Sequence, residues 1–339
     1  MKTREIFELK CGFINLVKAK NWNEAVATYE KEFGIDRKTA RNWWNWYKRE
    51  ICVPEVCFES GGKSEILTGK SGSAEKLQSL PLVVKGLRNV EFMGKVYNLD
   101  REGLYRFSVI SESVRNLIVI RNEMSVMPIL EAMALMQVHG NRDSMVKREE
   151  RKKLLLSRYW ISLTCGCISA LTIEVLTDAG FKARSVSSMT VDQWNTYNNG
   201  HMTIEVFFPA LSRWVFVDID MGYIFMSDGQ LLDCYNFWQC VKENRQPTFV
   251  ALAPKEIDPL WLENDYSYTH MWRKIVADIP SKWNWYLRAF QTFGFNVHDD
   301  RWVYLASGRT ARRVLEYRGH YATTLSEKAF VEKFYKNVK

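Results

Sequence analysis

Residues 164–184, TCGCISALTIEVLTDAGFKAR, set the tightest constraint on the fold. After Cys165 the apolar residues Ile168, Leu171, Val175, Leu176 and Ala179 fall at i, i+3, i+7, i+8 and i+11. That is one stripe of a buried helix, and Gly180 can take the left-handed conformation that ends it. Downstream, GHMTIEVFFPALSRWVFVDIDMG switches to period two and reads as a hairpin, with strands over 202–208 and 214–218 and a loop over 209–213. A helix and a strand pair that must each bury one side call for a helix packed on an antiparallel sheet, which is the α+β class.

The same two segments hold the residues best suited to covalent chemistry. A sulfur at Cys165 stands at the start of the helix, where the macrodipole and unpaired backbone amides stabilise negative charge. Those amides can also hold the oxyanion that forms when a carbonyl is attacked. Cys167 lies about 200° further round the helix, so the two cysteines cannot share one setting. A cysteine nucleophile needs an imidazole and a group that orients it. If the hairpin strands pair about the loop centre, His201 and Asp218 become cross-strand neighbours about 5 Å apart.

A cysteine at a helix start, followed by histidine and aspartate on adjacent strands, resembles the transglutaminase-like superfamily. Ala179-Gly180-Phe181 leading to Ala183-Arg184 is similar to the turn that follows the cysteine helix in that family. The closest likeness is to the peptide N-glycanase branch, in the fifteen residues from Cys165 to Gly180 and in His201, Glu205, Val206, Arg213, Trp214 and Asp218. The matched core spans residues 160–222. The resemblance implies a papain-like core with Cys165 as nucleophile, His201 as general base and acid, and Asp218 as orienter. Peptide N-glycanases carry paired Cys-x-x-Cys zinc ligands ahead of the nucleophile; here Cys52 and Cys57 have no second pair, so no metal is expected. Trp160 and Gln137 stand upstream as candidates for a second oxyanion donor, and the sequence selects neither.

The first fifty residues read as three helices, over 4–18, 23–33 and 37–50, with Gly34 ending the second and Asp36 capping the third. In the third, Ala40, Trp43, Trp44 and Tyr47 can face the other two. Arg37, Lys38, Arg41, Asn42, Asn45 and Lys48 are left toward solvent, the side-chain types that read phosphates and base edges. The stretch resembles helix-turn-helix segments of bacterial and phage DNA-binding proteins, including transposases, and this implies DNA as a partner. Charge agrees: residues 1–50 carry eleven Lys/Arg against seven Asp/Glu and residues 301–339 nine against three, within a net charge of +8. Residues 58–80, rich in Ser, Gly and Lys, read as a flexible linker. The expected domains are a small all-α module over 1–50, a linker over 51–84 and a transglutaminase-like domain over 85–339.

The chain has no apolar run long enough to span a bilayer and no signal-peptide core, so no membrane association and a cytoplasmic location are expected. Seven cysteines without regular spacing argue for reduced thiols. There is no phosphate-binding glycine loop or dinucleotide fingerprint, so no cofactor is expected. His139, His270, His298 and His320 show no metal-ligand spacing with acidic residues. The expected function is cysteine-dependent acyl transfer, either hydrolysis of an amide or transfer to an amine through a thioester, with proteins among the candidate substrates. The alternative is a DNA-binding regulator or structural protein whose transglutaminase-like domain is not catalytic.

Overall fold

The computed structural model describes residues 3–47, 55–60, 63–110, 113–192, 199–252, 278–298 and 301–336. The chain is a mixed α/β protein, in keeping with the α+β expectation. It divides into two compact units, Met1–Glu55 with Phe107–Val114, and Val56–Arg106 with Arg115–Lys339.

The first unit contains α1 (Thr3–Ala19), α2 (Trp22–Phe33) and α3 (Arg37–Trp46). Asn21 caps α2 by accepting from the Glu24 amide at 3.0 Å, and Asp36 caps α3 by accepting from the Thr39 amide at 2.6 Å. Gly34 closes α2 with φ 67°. The core gathers around Phe13, which meets the rings of Trp22, Tyr29 and Trp43 edge-on at 5.6, 5.3 and 6.1 Å. Ala40, Trp43 and Tyr47 are buried as expected, while Phe33, the last residue of α2, is 48% exposed.

In the second unit, the described part of 51–84 is built of strands and is not a linker. β1 (Glu55–Ser60) pairs antiparallel with β2 (Lys63–Leu67); β3 (Glu75–Lys76) and β4 (Val83–Lys85) follow. β5 (Asn89–Phe92), β6 (Lys95–Asn98), β7 (Gly103–Ile110) and β8 (Ser113–Ile120) complete a five-stranded sheet in the order β2-β1-β7-β8-β4 and a small sheet β3-β5-β6. The linker reading failed because polar composition concealed short strands: in β1 only Val56 and Phe58 are buried, and the order comes from pairing with strands distant in sequence.

Next come α4 (Met127–Met136), β9 (Gln137–His139), α5 (Arg148–Ser157), β10 (Ile161–Leu163) and α6 (Cys165–Asp178). α5 exposes the charged residues Arg148, Glu149, Glu150 and Lys153 and buries Leu155, with Arg148 and Lys152 paired to Glu174 of α6. The principal sheet comprises β11 (Ala183–Met189), β12 (Gly200–Phe208), β13 (Arg213–Asp218), β14 (Tyr223–Ser227), β15 (Gln230–Leu231), β16 (Thr248–Ala251), β17 (Thr292–His298), β18 (Arg301–Leu305) and β19 (Ala322–Leu325). Its order is β15-β14-β13-β12-β11-β17-β18-β19, with β16 on β14. Among the described residues four helices accompany it: α7 (Cys234–Lys242), α8 (Ile279–Ala289), α9 (Gly308–Arg318) and α10 (Glu327–Val331).

Period-two alternation gives this sheet two apolar faces. Ile204, Val206, Val215 and Val217 join Ile168, Leu171, Val175 and Leu176 of α6 on one side. Phe216, Phe225 and Phe295 join Phe237 of α7, Trp283 and Tyr286 of α8, and Phe330 of α10 on the other. The helix stripe expected from the sequence is thus buried, and Gly180 at φ 84° ends α6 with the Phe181 amide bonded to Leu176 O at 2.9 Å.

Candidate active site

Thr164 is extended, with φ −69° and ψ 156°, and α6 starts at the next residue, Cys165. The first bond of the helical ladder runs from the Ile168 amide to Thr164 O at 2.9 Å. The amides of residues 165–167 therefore have no partner within the helix. Cys165 and Cys167 are both partly exposed, and of the two Cys167 packs against the apolar core. The first turn lies over the start of β12: a methyl group added at Gly166 would meet Met202 Cγ at 3.7 Å.

His201 follows Gly200 at that same strand end. The two strands approach so closely here that a β-carbon on Gly200 would lie 2.2 Å from Ser188 O. Ser188, opposite His201 on β11, clamps its backbone: the His201 amide donates to Ser188 Oγ at 3.0 Å, and that hydroxyl donates to His201 O at 3.2 Å. On the other side the β12–β13 register pairs Ile204 with Val217. Asp218 therefore comes level with Thr203 and reaches His201 diagonally along the shared face. The direct opposition expected from the sequence is displaced by two residues, and the long imidazole spans the difference. His201 Nε2 lies 2.9 Å from Asp218 Oδ2, and Cys165 contributes a side-chain hydrogen bond to the same imidazole. With Nε2 directed at the carboxylate, Nδ1 is the ring nitrogen left for other partners.

Both members of the histidine–aspartate pair are withdrawn from water, with His201 3% and Asp218 0% exposed. Burial alone lowers the imidazole pKa, but the charge and hydrogen bond of Asp218, with a further contribution from Cys165, outweigh it and hold His201 well above its ordinary value. For Asp218 the signs reverse. Burial raises its pKa, and His201, the Met221 amide at 2.9 Å and the Tyr286 hydroxyl bring it below the usual carboxylate value. The pair is a buried ion pair whose carboxylate oxygens are both satisfied.

Two further groups meet this pair, and both lie in the segment KWNWYLRAF of α8. Tyr286 of α8 donates its hydroxyl to Asp218 Oδ2, and burial beside that carboxylate pushes the phenol well up. Trp285 sets its ring edge-on to His201, with centroids 4.8 Å apart and planes at 77°. Both side chains are also core residues, so their sequence signal, an aromatic run at helical spacing, carried no sign of the polar role. A second pair was likewise missed: His139 Nδ1 lies 2.6 Å from Asp220 Oδ2. β9 sets His139 beside Leu163, two residues ahead of Cys165, and Asp220 follows Asp218 by two. Only the parallel pairing of β9 with β10, absent from local patterns, brings them together.

Of the suggested oxyanion donors, Gln137 directs its amide to Met133 O at 3.3 Å and Thr172 Oγ1 at 3.1 Å. Thr172 is seven residues, or about 10 Å, along α6 from Cys165, so Gln137 is committed to the helix interior. Trp160 stacks at a tilt on Tyr159, with centroids 5.8 Å apart.

The motif residues around the site are structural. Arg184 and the fully buried Glu205 form an ion pair, with Arg184 Nε 2.7 Å from Glu205 Oε2. Glu205 Oε1 accepts from the Cys234 amide at 2.7 Å and the Tyr335 hydroxyl at 3.0 Å. The guanidinium lies over Trp214 and Phe295, with centroid distances of 4.3 and 3.8 Å. Burial works to lower the Arg184 pKa, and Glu205 outweighs it, so the group is held above its ordinary value.

In the first unit Arg37, Lys38, Arg41, Asn42 and Asn45 are exposed on α3, and Lys48 lies outside the described residues. Taking about 100° per residue, these five occupy an arc of roughly 140°, clear of the arc held by Ala40, Trp43, Trp44 and Tyr47. Arg37 also donates to Asn23 Oδ1 at 3.4 Å. Cys57 sits in β1, and Cys52 and His270 fall outside the described residues. Among the described residues no group of three or more His, Cys, Asp or Glu side chains is placed to hold a metal ion. Nor is any helix among them long and apolar enough to cross a membrane.

No family model, curated protein or solved structure matches the chain. The site is therefore read from its own geometry.

Proposed function

We propose that the protein is a cysteine-dependent acyl-transfer enzyme with a transglutaminase-like core, joined to a helix-turn-helix module that binds DNA. The observation that carries the reading is the chain of contacts from Cys165 through His201 to Asp218, in which a buried ion pair faces a sulfur at a helix start. The buried thiols Cys234 and Cys240 lack this setting: burial pushes Cys234 well up and Cys240 up.

In this mechanism His201, an imidazolium in its ion pair with Asp218, already holds the proton of Cys165, and the sulfur attacks the carbonyl carbon of an amide as the thiolate. The carbonyl π electrons move onto oxygen, and that oxyanion lies toward the amides at the start of α6. As the C–N bond breaks, the imidazolium returns its proton to the leaving amine, and a thioester remains. Water or a second amine then attacks the thioester carbon, giving its proton to the now neutral His201, and the sulfur leaves as the thiolate beside the restored imidazolium. Asp218, held by Tyr286 and the Met221 amide, keeps the imidazole in one orientation and tautomer throughout. The exposed arc of Arg37, Lys38, Arg41, Asn42 and Asn45 supports the DNA role and would carry this chemistry to DNA or to a protein bound there.

Alkylation with iodoacetamide near neutral pH, read by peptide mass spectrometry, tests the chemistry. Cys165 should react faster than Cys167, and His201→Ala should remove the difference. Equal rates in both proteins would favour a non-catalytic domain. For the module, duplex DNA should bind with strong salt dependence, and Arg37→Ala with Arg41→Ala should weaken it; binding unaffected by salt or by these changes would exclude that role.

A further inference from the structure

Beside β18, α9 and the turn Gly319–Tyr321 shape an open cleft of about 590 Å³ lined by Trp302, Tyr317, Arg318 and Tyr321. The acyl-transfer reading makes no use of it. Arg318 is only partly exposed, and its contacts among the described residues are all uncharged. Its guanidinium donates to Ser187 Oγ at 2.9 Å and lies 5.2 and 5.9 Å from the ring centres of Tyr317 and Tyr304. Its Nε has no hydrogen-bond partner among the described residues. A cation drawn part-way out of water without a counter-charge is costly, and an anion in the cleft would relieve that cost.

The rings around it offer flat apolar faces to solvent. Tyr317 and Tyr321 are 50% and 51% exposed, and His320 lies against Tyr321 with ring centroids 4.0 Å apart. The solvent face of α9 continues the positive charge with Arg309 and Arg312, both exposed and without an acidic partner among the described residues; Arg313 shares Glu316 at 3.3 Å. Residues 301–339 hold nine Lys/Arg against three Asp/Glu, so the field there is positive. A ligand that fills this surface needs negative charge at regular intervals and a planar apolar body. An acidic peptide supplies only the first. Nucleic acid supplies both, and the rings need a base that is not covered by its neighbours, which excludes an intact duplex.

We propose that this cleft binds single-stranded nucleic acid, with an unstacked base on Tyr317 and Tyr321, its phosphate on Arg318, and adjoining phosphates on Arg309 and Arg312. The inference rests on neither the acyl chemistry nor the duplex-binding role of α3. Its test is accordingly made in the full-length Arg37→Ala/Arg41→Ala protein, where loss of duplex binding is read separately. The probe is a labelled oligothymidylate of about 15 nucleotides, followed by fluorescence anisotropy between about 50 and about 200 mM salt.

Binding should weaken as salt rises. Adding Tyr317→Ala with Tyr321→Ala, two exposed positions with no role in the core, should weaken it at least about tenfold, since each stacked base contributes on the order of 1–3 kcal/mol. Adding Arg309→Ala with Arg312→Ala instead should make the salt dependence shallower, by about 1.4 in the log–log slope for two lost contacts to a single strand. The proposal is overturned if the probe fails to bind, if the tyrosine variant binds it undiminished, or if polyglutamate of similar length displaces it as well as unlabelled oligothymidylate does.

Discussion

Substituting Gly200 by alanine inserts a methyl group where the strands leave no room. The new carbon would lie 2.2 Å from Ser188 O and 3.2 Å from Ser188 C, against an ordinary contact distance that begins at 3.4 Å. The obstacle is backbone, so a rotamer change cannot relieve it, and β11 and β12 must part locally by about 1 Å. Overpacking of this kind costs on the order of 1–3 kcal/mol. The displaced element is the one that carries His201, whose backbone is clamped to Ser188 on one side and whose ring must reach Asp218 on the other. A misplacement of about 1 Å in a catalytic group can lower a rate by roughly a hundredfold. Gly166→Ala supplies the control: its methyl would meet only Met202 Cγ at 3.7 Å, and within a helix alanine is favoured over glycine by up to about 1 kcal/mol. Urea unfolding should therefore show Gly200→Ala destabilised and Gly166→Ala as stable as the parent or more so. Iodoacetamide alkylation of Cys165 should slow strongly in Gly200→Ala. If Gly200→Ala kept both parental stability and the parental alkylation rate, the close approach of β11 and β12 would not be what positions the imidazole.

The buried charges give four more expectations. Glu205→Ala would strand the Arg184 guanidinium among Trp214 and Phe295 and should cost on the order of 3–5 kcal/mol in a urea titration. His139→Ala removes the partner of the Asp220 carboxylate, whose side chain is 1% exposed, and should cost about 1–3 kcal/mol, with Asp220→Asn milder because an amide can still bond the ring. Burial first, and then the charge of Glu205, pushes Asp233 up to about 6, so its ionised form is a burden that develops as pH rises toward 6. Asp233→Asn should gain stability over the parent between about pH 4 and 6, by up to about 3 kcal/mol, and hold that gain above it. Asp218 and His201 predict opposite limbs. The lowered Asp218 pKa gives a contribution complete above about 3.9 and lost as pH falls through the folded value; the raised His201 pKa gives one complete below about 6.5 and lost as pH rises through the folded value. Unfolding followed across pH should show both limbs in the parent and neither in His201→Gln/Asp218→Asn.

What the sequence made legible was whatever repeats over a short range. The α6 stripe, the β12–β13 hairpin, the three N-terminal helices and the caps at Asp36 and Gly34 all follow from residues within one or two turns, and all are present. The His201–Asp218 contact was within reach because a hairpin makes seventeen residues of separation local, although the register came out two residues away from the simple estimate. The strands within 58–80 were not legible, since β1 is held by β7, which begins at Gly103, β3 pairs with β5, and their own composition imitates a linker. Tyr286 was hidden for a related reason: 68 residues separate it from Asp218, and its helix gives no local sign that one hydroxyl meets a carboxylate.

The motif that drew attention to the site contains two kinds of residue, and the geometry separates them. Cys165, His201 and Asp218 contact one another in series and converge at one end of α6 and β12. Arg184, Glu205 and Trp214 form a different cluster further along the same strands, closed by the Cys234 amide and Tyr335. The Arg184–Glu205 pair crosses β11 and β12 at one register position, and Ser188 and His201 pair at another on the same ladder. A buried ion pair at the first position penalises any slip of the strands, because a one-residue shift would turn Glu205 to the apolar face shared with α6 and leave Arg184 without its partner. The same slip would turn His201 away from Asp218. The structural residues of the motif therefore act on the site by fixing the register in which the imidazole and the carboxylate can meet, which is why a pattern containing both kinds points to the site more strongly than Cys165, His201 and Asp218 alone.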